Sequence, residues 1–356
     1  GYLHLVYGPR NNRIQHIVSK DSNVTKKWIS QTPLQGTKAT YPSLVIDSED
    51  NLHVCYQGFL PEESSRGLLY QRQSKKGEWS EPICLVSAKE KPVSAKFDNT
   101  LHLGKDGTLF LAYHIGLSSE GDFPKTNIQE IGLMCSWDGG YSWGTMEGKS
   151  LVLPATVGSA TIQKFDQEQD VRLGNLSCDA HGNPYFTINC LEGRIKQTFL
   201  YRRRKEKWET QNLLLEVEKL CGLCEMPDVC SLNISDSGVL FAAAVVYNRG
   251  CGRIEPTNDI VLLTSWDLGD TFSVYKISPE EPGVSNLLPI LEGQTGHNQV
   301  NVPCLLYTCG EKGIDYSKEL ETEIRMVLLV ELIEKEKRTM EGAISGLEWL
   351  SGLNFT

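Results

Sequence analysis

Two stretches of this chain gather the residue types that do polar chemistry. Gly222-Leu223-Cys224-Glu225-Met226-Pro227-Asp228 offers a carboxylate, and Asn248 to Asp259 offers two guanidinium groups, Arg249 and Arg253. A carboxylate held beside guanidinium groups stays ionised and is available as a base. The arginine fork, for its part, grips an anion through two parallel N–H donors. A plainer assignment pairs these arginines with Glu255 and Asp259 as rim salt bridges, which contribute little. Histidine offers a second chemistry, because an imidazole can remove a proton near neutral pH. Tyr113-His114 ends an apolar run and His297 sits in a polar loop; the bland assignment for both is a surface or turn residue. His4, His53 and His102 fall inside strand-like runs and read as packing or surface residues. Cys221-Gly222-Leu223-Cys224 has metal-ligand spacing, with Cys230 and Cys251 nearby. No second Cys-x-x-Cys answers it, so free thiols or a disulfide are expected there, with no metal and no cofactor.

The elements that must position these groups are strands in an internal repeat. The unit reads apolar strand, Asp/Gly turn, apolar strand, variable loop, third strand, polar turn ending in an aromatic, and fourth strand. It is cleanest from Tyr41 onward, where Tyr41 to Ile46, the turn Asp47 to Asn51 and Leu52 to Tyr56 form a hairpin, followed by Gly67 to Gln71 and a turn ending at Trp79. Its echoes place six units at about 1–34, 41–86, 98–153, 172–216, 228–278 and 284–335. The strands are β-branched and aromatic, bounded by Gly, Asp and Asn. A single such pair is unstable alone, so the units must stack. The expected fold is all-β, a six-bladed β-propeller of four-stranded antiparallel blades, which leaves few exposed edges. With no Pro-, Gly- or Ser-rich linker, 1–356 reads as one domain. The first unit lacks an innermost strand, and the segment 336–356 is expected to supply it or to pack on the ring. Residues 153–171 are expected to lie as a loop over one face, and the charged run from Glu331 to Arg338 as a solvated face, with an extension of the last strand or the start of a helix as the alternatives.

Within the repeat, Ser136-Trp137-Asp138-Gly139-Gly140-Tyr141-Ser142-Trp143 returns as Ser265-Trp266-Asp267-Leu268-Gly269-Asp270-Thr271-Phe272. The Asp and Ser side chains can bond the turn amides, and glycine supplies a positive φ. Both copies resemble the Asp-box of the sialidase-like BNR-repeat β-propellers. The resemblance implies that Asp138 and Asp267 are turn-makers on the far rim. It implies carbohydrate chemistry at the opposite face, of sialidase type, with Glu225 as the carboxylate base and Arg249 or Arg253 as a clamp on the sugar carboxylate. Arg172 and Arg10 are further clamps and Asp122 the acid. The family's Phe/Tyr-Arg-Ile-Pro signature is absent, and no tyrosine nucleophile is assigned beyond Tyr307 and Tyr316. Some BNR-repeat polysaccharide lyases of similar architecture imply another set, in which a histidine, His114 or His297, or a tyrosine removes the C5 proton of a uronate while arginine neutralises its carboxylate. A non-catalytic glycan-binding propeller is the third reading.

Composition narrows the partners. The chain has 356 residues and a net charge of −10, which argues against nucleic acid, even at Arg202-Arg203-Arg204-Lys205. An acidic glycan is the expected partner, held by local arginines. No apolar run is long enough to span a bilayer. Eleven cysteines, an odd number, leave the compartment open, and only the resemblance favours a secreted or periplasmic setting.

Overall fold

The computed structural model describes residues 1–8, 12–59, 66–87, 94–118, 126–166, 169–248, 258–279, 284–311 and 322–338. Six antiparallel sheets follow one another in chain order as the blades of a β-propeller. The first holds His4–Tyr7, Gln15–Ser19 and Trp28–Ser30; the second runs Thr37–Ile46, Leu52–Phe59, Gly67–Gln73 and Ile83–Ser87. The third runs Ser94–Leu103, Leu109–Ser118, Thr126–Ser136 and Thr161–Phe165, and the fourth Arg172–Cys178, Pro184–Glu192, Ile195–Arg204 and Lys207–Asn212. In the fifth, Cys224–Glu225 and Ser231–Ile234 share the partner Leu240–Asn248, followed by Asn258–Ser265 and Ser273–Lys276. The sixth keeps three strands, Val284–Leu291, Cys304–Glu311 and Thr322–Leu328.

Apolar residues on alternate positions of each strand fill the space between blades, and each of the five successive contacts has its own buried cluster. A hydroxyl latch repeats near the axis. Ser43 Oγ accepts the Leu101 amide at 2.9 Å, Thr100 Oγ1 the Leu176 amide at 3.2 Å, Ser177 Oγ the Ile234 amide at 3.0 Å and Ser231 Oγ the Leu291 amide at 2.9 Å. Each latch satisfies an inner-strand amide that would otherwise be buried unpaired. No such cluster joins the sixth blade to the first among the described residues, where Leu5, Tyr7, Ile324, Met326 and Leu328 are exposed. The loop 292–303 reaches across instead. Its Gly296 amide bonds Ile46 O at 2.9 Å, its Val300 carbonyl accepts the Asp236 amide at 3.0 Å, and His297 Nε2 lies 3.0 Å from Asp50 Oδ1.

One expectation changes and one alternative is decided. The stretch 153–171 is no loop over a face. It threads past the second blade, where Ala155 is fully buried and exchanges backbone bonds with Leu85 and Ser87, and then forms the outermost strand of the third blade. The charged run after Leu328 is helical over 330–338, with Leu329 and Ile333 buried and the Glu336 carboxylate accepting from Thr264 Oγ1 at 3.0 Å. A further helix, Leu213–Cys221, caps the fourth blade. Asn212 accepts the Leu214 amide at its start, and Leu213, Leu214 and Val217 are buried. The expected closing strand from 336–356 lies, beyond residue 338, outside the described residues.

The two Asp-boxes superpose bond for bond. Asp138 Oδ1 accepts the Tyr141 and Ser142 amides at 3.0 and 2.9 Å and Oδ2 accepts the Ser142 hydroxyl at 2.6 Å; Asp267 does the same with Asp270 and Thr271 at 3.0, 2.9 and 2.6 Å. Partial burial opposes ionisation of Asp267, but the bonds from Thr271, Ser265 and Asp270 outweigh it and lower its pKa from 3.8 to about 2. Because the folded value is the lower one, this stabilisation is full above pH 3.8 and is lost as pH falls towards 2. Asp267→Ala is expected to cost about 1–2 kcal/mol at neutral pH and progressively less as pH falls towards 2. Denaturant titrations at the two pH values check it; an equal loss at both would contradict the assignment.

Burial also lowers His102 and His16 from 6.5 to about 4, with the His4 imidazole adding to the shift at His16. The unfolded chain therefore takes up these protons first, and stability falls as pH drops from 6.5 to about 4. His102→Gln should flatten that slope in melting curves recorded across the window.

Candidate functional site at the loop end of the ring

Every blade enters from one end of the ring and turns at the other. The turn end carries the tight hairpins and both Asp-boxes, and it is tied across by Lys105 Nζ on Asp236 Oδ1 at 2.7 Å and by the 292–303 loop. His297 belongs to this end, against Asp50. The structure therefore separates it from His114, Arg172 and Glu225, which all lie towards the opposite, loop end of their strands. Asp138 and Asp267 are turn residues, as the motif implied.

At the loop end, the register of the third blade sets Asp98 directly opposite His114. The imidazole is 1 % exposed, and its Nδ1 stands 3.6 Å from Asp98 Oδ2. That is ion-pair range but too long for a hydrogen bond, and neither ring nitrogen has a hydrogen-bond partner. Thr100, two residues along from Asp98, takes the Leu176 amide, so this face of the third blade looks onto the fourth.

Arg172 opens the inner strand of the fourth blade. Its guanidinium is half exposed, with Nη1 3.5 Å from Asp228 Oδ1 on the way into the fifth blade. The segment carrying Glu225 is seated on the fourth blade by Asn189, whose Nδ2 donates to Met226 O at 2.7 Å, Asp228 O at 3.1 Å and Thr198 Oγ1 at 3.0 Å. The Met226 amide adds a bond to Lys196 O at 3.0 Å. Glu225 Oε2 accepts the Lys196 amide at 3.4 Å, and Lys196 Nζ pairs with Asp170 Oδ2 at 2.8 Å. Tyr247 stands directly opposite Glu225 in the sheet. Tyr307 is buried in the core between the fifth and sixth blades. Arg10, Asp122, Arg249, Arg253 and Tyr316 lie outside the described residues.

The loop end thus gathers two charged groups: His114 with Asp98 between the third and fourth blades, and Arg172, Asp228, Lys196 and Glu225 between the fourth and fifth. Together they offer a buried proton acceptor, a guanidinium for an anion and a carboxylate. Sequence reasoning missed Asp98, Asp228, Lys196 and Tyr247. Asp98 had a signal: closing the hairpin at Leu103 and Leu109 around Lys105-Asp106-Gly107 places residue 98 across from 114. Asp228 and Lys196 had none, because they meet the site only through contacts between blades. Cys221 is half-buried and Cys224 buried, and no disulfide or metal-ligating cluster forms among the described residues.

Comparison with solved structures gives propellers that act on carbohydrates. An ulvan lyase of polysaccharide lyase family PL25 is 16 % identical, with 92 % of this chain aligned to 76 % of that one at a TM-score of 0.67. A second structure of that lyase is bound to -[GlcA(1-4)Rha3S]-. A Penicillium chrysogenum α-L-arabinanase complexed with arabinobiose is 13 % identical over 91 % of this chain and 90 % of its own, at a TM-score of 0.54. A Fusarium graminearum α-L-arabinofuranosidase is 13 % identical over 94 % and 91 %, at 0.52. At these identities the likeness establishes the fold. No curated protein matches the sequence. A family model described as a BNR repeat-containing family member matches residues 1–214, and the chain belongs to that family.

Proposed function

We propose that this propeller is a carbohydrate-active enzyme of the lyase type, cleaving an acidic, uronate-bearing polysaccharide at its loop end. The observation that carries this reading is His114. A buried imidazole with both nitrogens lacking hydrogen-bond partners is costly and uncommon, and a role in function would account for it. In the proposed reaction His114 takes the C5 proton, with Asp98 facing the imidazolium that forms. Arg172 holds the uronate carboxylate and favours the charge that develops as C5 loses its proton. The C4–O4 bond then breaks, O4 leaves with a proton, and a C4=C5 double bond remains. Arg10, Arg249 and Arg253 stay in the proposal as further clamps and Asp122 as the acid to O4. The ulvan lyase bound to a glucuronate-containing saccharide supports this choice of substrate class by analogy of fold.

A second reading, hydrolysis of sialidase type, draws on the register that sets Tyr247 opposite Glu225. The side chains of opposed residues share one face of the sheet. In that case Tyr247, with Glu225 as its base, attacks the anomeric carbon; the glycosidic C–O bond breaks, its oxygen leaves with a proton, and water then cleaves the tyrosyl–sugar bond. Substrate charge tests the shared premise. A uronate polysaccharide should be cleaved and its carboxyl-reduced counterpart left intact. Arg172→Lys should raise KM about tenfold or more, since a point charge does not reproduce the fork. Equal cleavage of both polymers would remove the acidic substrate from the account.

A further inference from the structure

The turn end of the ring carries a cleft that the proposed reaction does not use. It lies between the second and third blades, encloses about 690 Å3 and is lined in part by the first Asp-box. That is within the range of about 300–1,000 Å3 typical of small-ligand sites.

Two features set it apart from an ordinary groove between blades. The first is Arg72, whose guanidinium stacks 3.3 Å from the centroid of the Tyr141 ring. Among the described residues its guanidinium has no hydrogen bond or ion pair, although carboxylates line the same cleft. The comparison within the chain is direct. The position of Tyr141 in the second Asp-box is Asp270, which binds Arg202 at 2.8 Å and Arg204 at 2.6 Å, so those arginines are occupied. In the first box the aromatic holds the arginine by its face and leaves the N–H donors of the fork unused. The second feature is Tyr141 itself, 68 % exposed; it gives the turn only its backbone amide, while the side-chain bonds of the turn are made by Ser136, Asp138 and Ser142. The turn has no need of an aromatic there.

The charge of the lining selects the ligand. Asp47, Glu49, Glu78, Asp106 and Asp138 face one guanidinium, which repels an anion. No group of three ligands gathers around one point among the described residues, so a metal ion is not the occupant. A neutral polyhydroxylated ring fits each feature. Its apolar face stacks on Tyr141, its hydroxyl oxygens accept from Arg72, and its hydroxyl hydrogens are donated to Glu49 and Glu78, which are exposed and make no ion pair among the described residues. We propose that this cleft is a binding site for a neutral sugar, on the opposite end of the ring from the acidic-glycan site and independent of it.

Isothermal titration of the full chain with cellotriose, xylotriose, mannotriose, arabinotriose and, as the charged control, trigalacturonate tests this. At least one neutral trisaccharide is expected to bind. Tyr141→Ala and Arg72→Ala should each weaken it about tenfold or more, and Arg172→Ala should leave it unchanged. Glu78→Gln, at an exposed side chain, gives a third reading on a fold that is not in question. Failure of all four neutral sugars, binding indifferent to these substitutions, or binding lost only in Arg172→Ala would each overturn the proposal. The last result would place the sugar at the loop end and leave the proposed reaction untouched.

Discussion

Replacing His114 with Asn lowers turnover on a uronate polysaccharide by about 10²–10⁴-fold, the range a general base supplies, while binding of the polymer is largely kept. The side chain is buried between two blades, so size matters as much as chemistry there, and Asn is close to imidazole in shape and polarity. It cannot accept the C5 proton. Asp98→Asn should give a smaller loss, because Asp98 faces the imidazole at 3.6 Å and acts through it. A positioning role has its own signature: Asp98→Asn should displace the pH profile of kcat, whereas a merely structural role would change yield and melting temperature and leave the profile in place. Rates and binding measured on each variant, with circular dichroism as the check on folding, separate these cases. Full activity in His114→Asn would remove His114 from the chemistry and leave Glu225 and Tyr247 as the candidates.

The second large effect is on stability. Gly140 has φ +86°, and a Cβ there would be driven into the Tyr70 hydroxyl. Tyr70 has no room to yield. Its hydroxyl is bonded to His53 Nδ1 at 2.7 Å and its ring meets the edge of Trp143 at 5.4 Å. Backbone strain and overpacking add, so Gly140→Ala is expected to cost about 3–5 kcal/mol. Its neighbour Gly139 has φ +70° and open space around it, so Gly139→Ala pays only the strain, about 1 kcal/mol. Urea unfolding of the pair checks the difference; equal losses would show that the packing under the Asp-box is looser than described. The contrast matters because it separates the two glycines of one motif, one serving the turn alone and the other also the contact with the second blade.

The repeat was legible because its signals are local. The Asp-box turn, the hairpin turns at Asp47 and Asp179 and the alternating strands each depend on residues within a few positions of one another. The outer strand Thr161–Phe165 was not legible, because Ala155 is fixed by backbone bonds to Leu85 and Ser87 in the previous blade. The helix at 330–338 was legible only as one alternative for a charged run, because the contacts that fold it, apolar ones from the fifth and sixth blades and the bond from Thr264 to the buried Glu336, lie far away in sequence. At the site, the same divide holds. Asp98 follows from hairpin register, whereas the meeting of Arg172 with Asp228 depends on how the fourth blade stacks on the fifth. The placement of His297 is the clearest case. Its loop follows the first strand of the sixth blade and not the second, so it turns to the Asp-box end and pairs with Asp50.

The most direct test of the central claim is the mass of the product released from a uronate polysaccharide by the intact protein. Elimination leaves a new non-reducing end one water lighter than a hydrolytic product, with a conjugated double bond that absorbs in the ultraviolet. The lighter, absorbing oligosaccharide is expected, and it should disappear in His114→Asn. Oligosaccharides of the hydrated mass, without the absorbance, would contradict it.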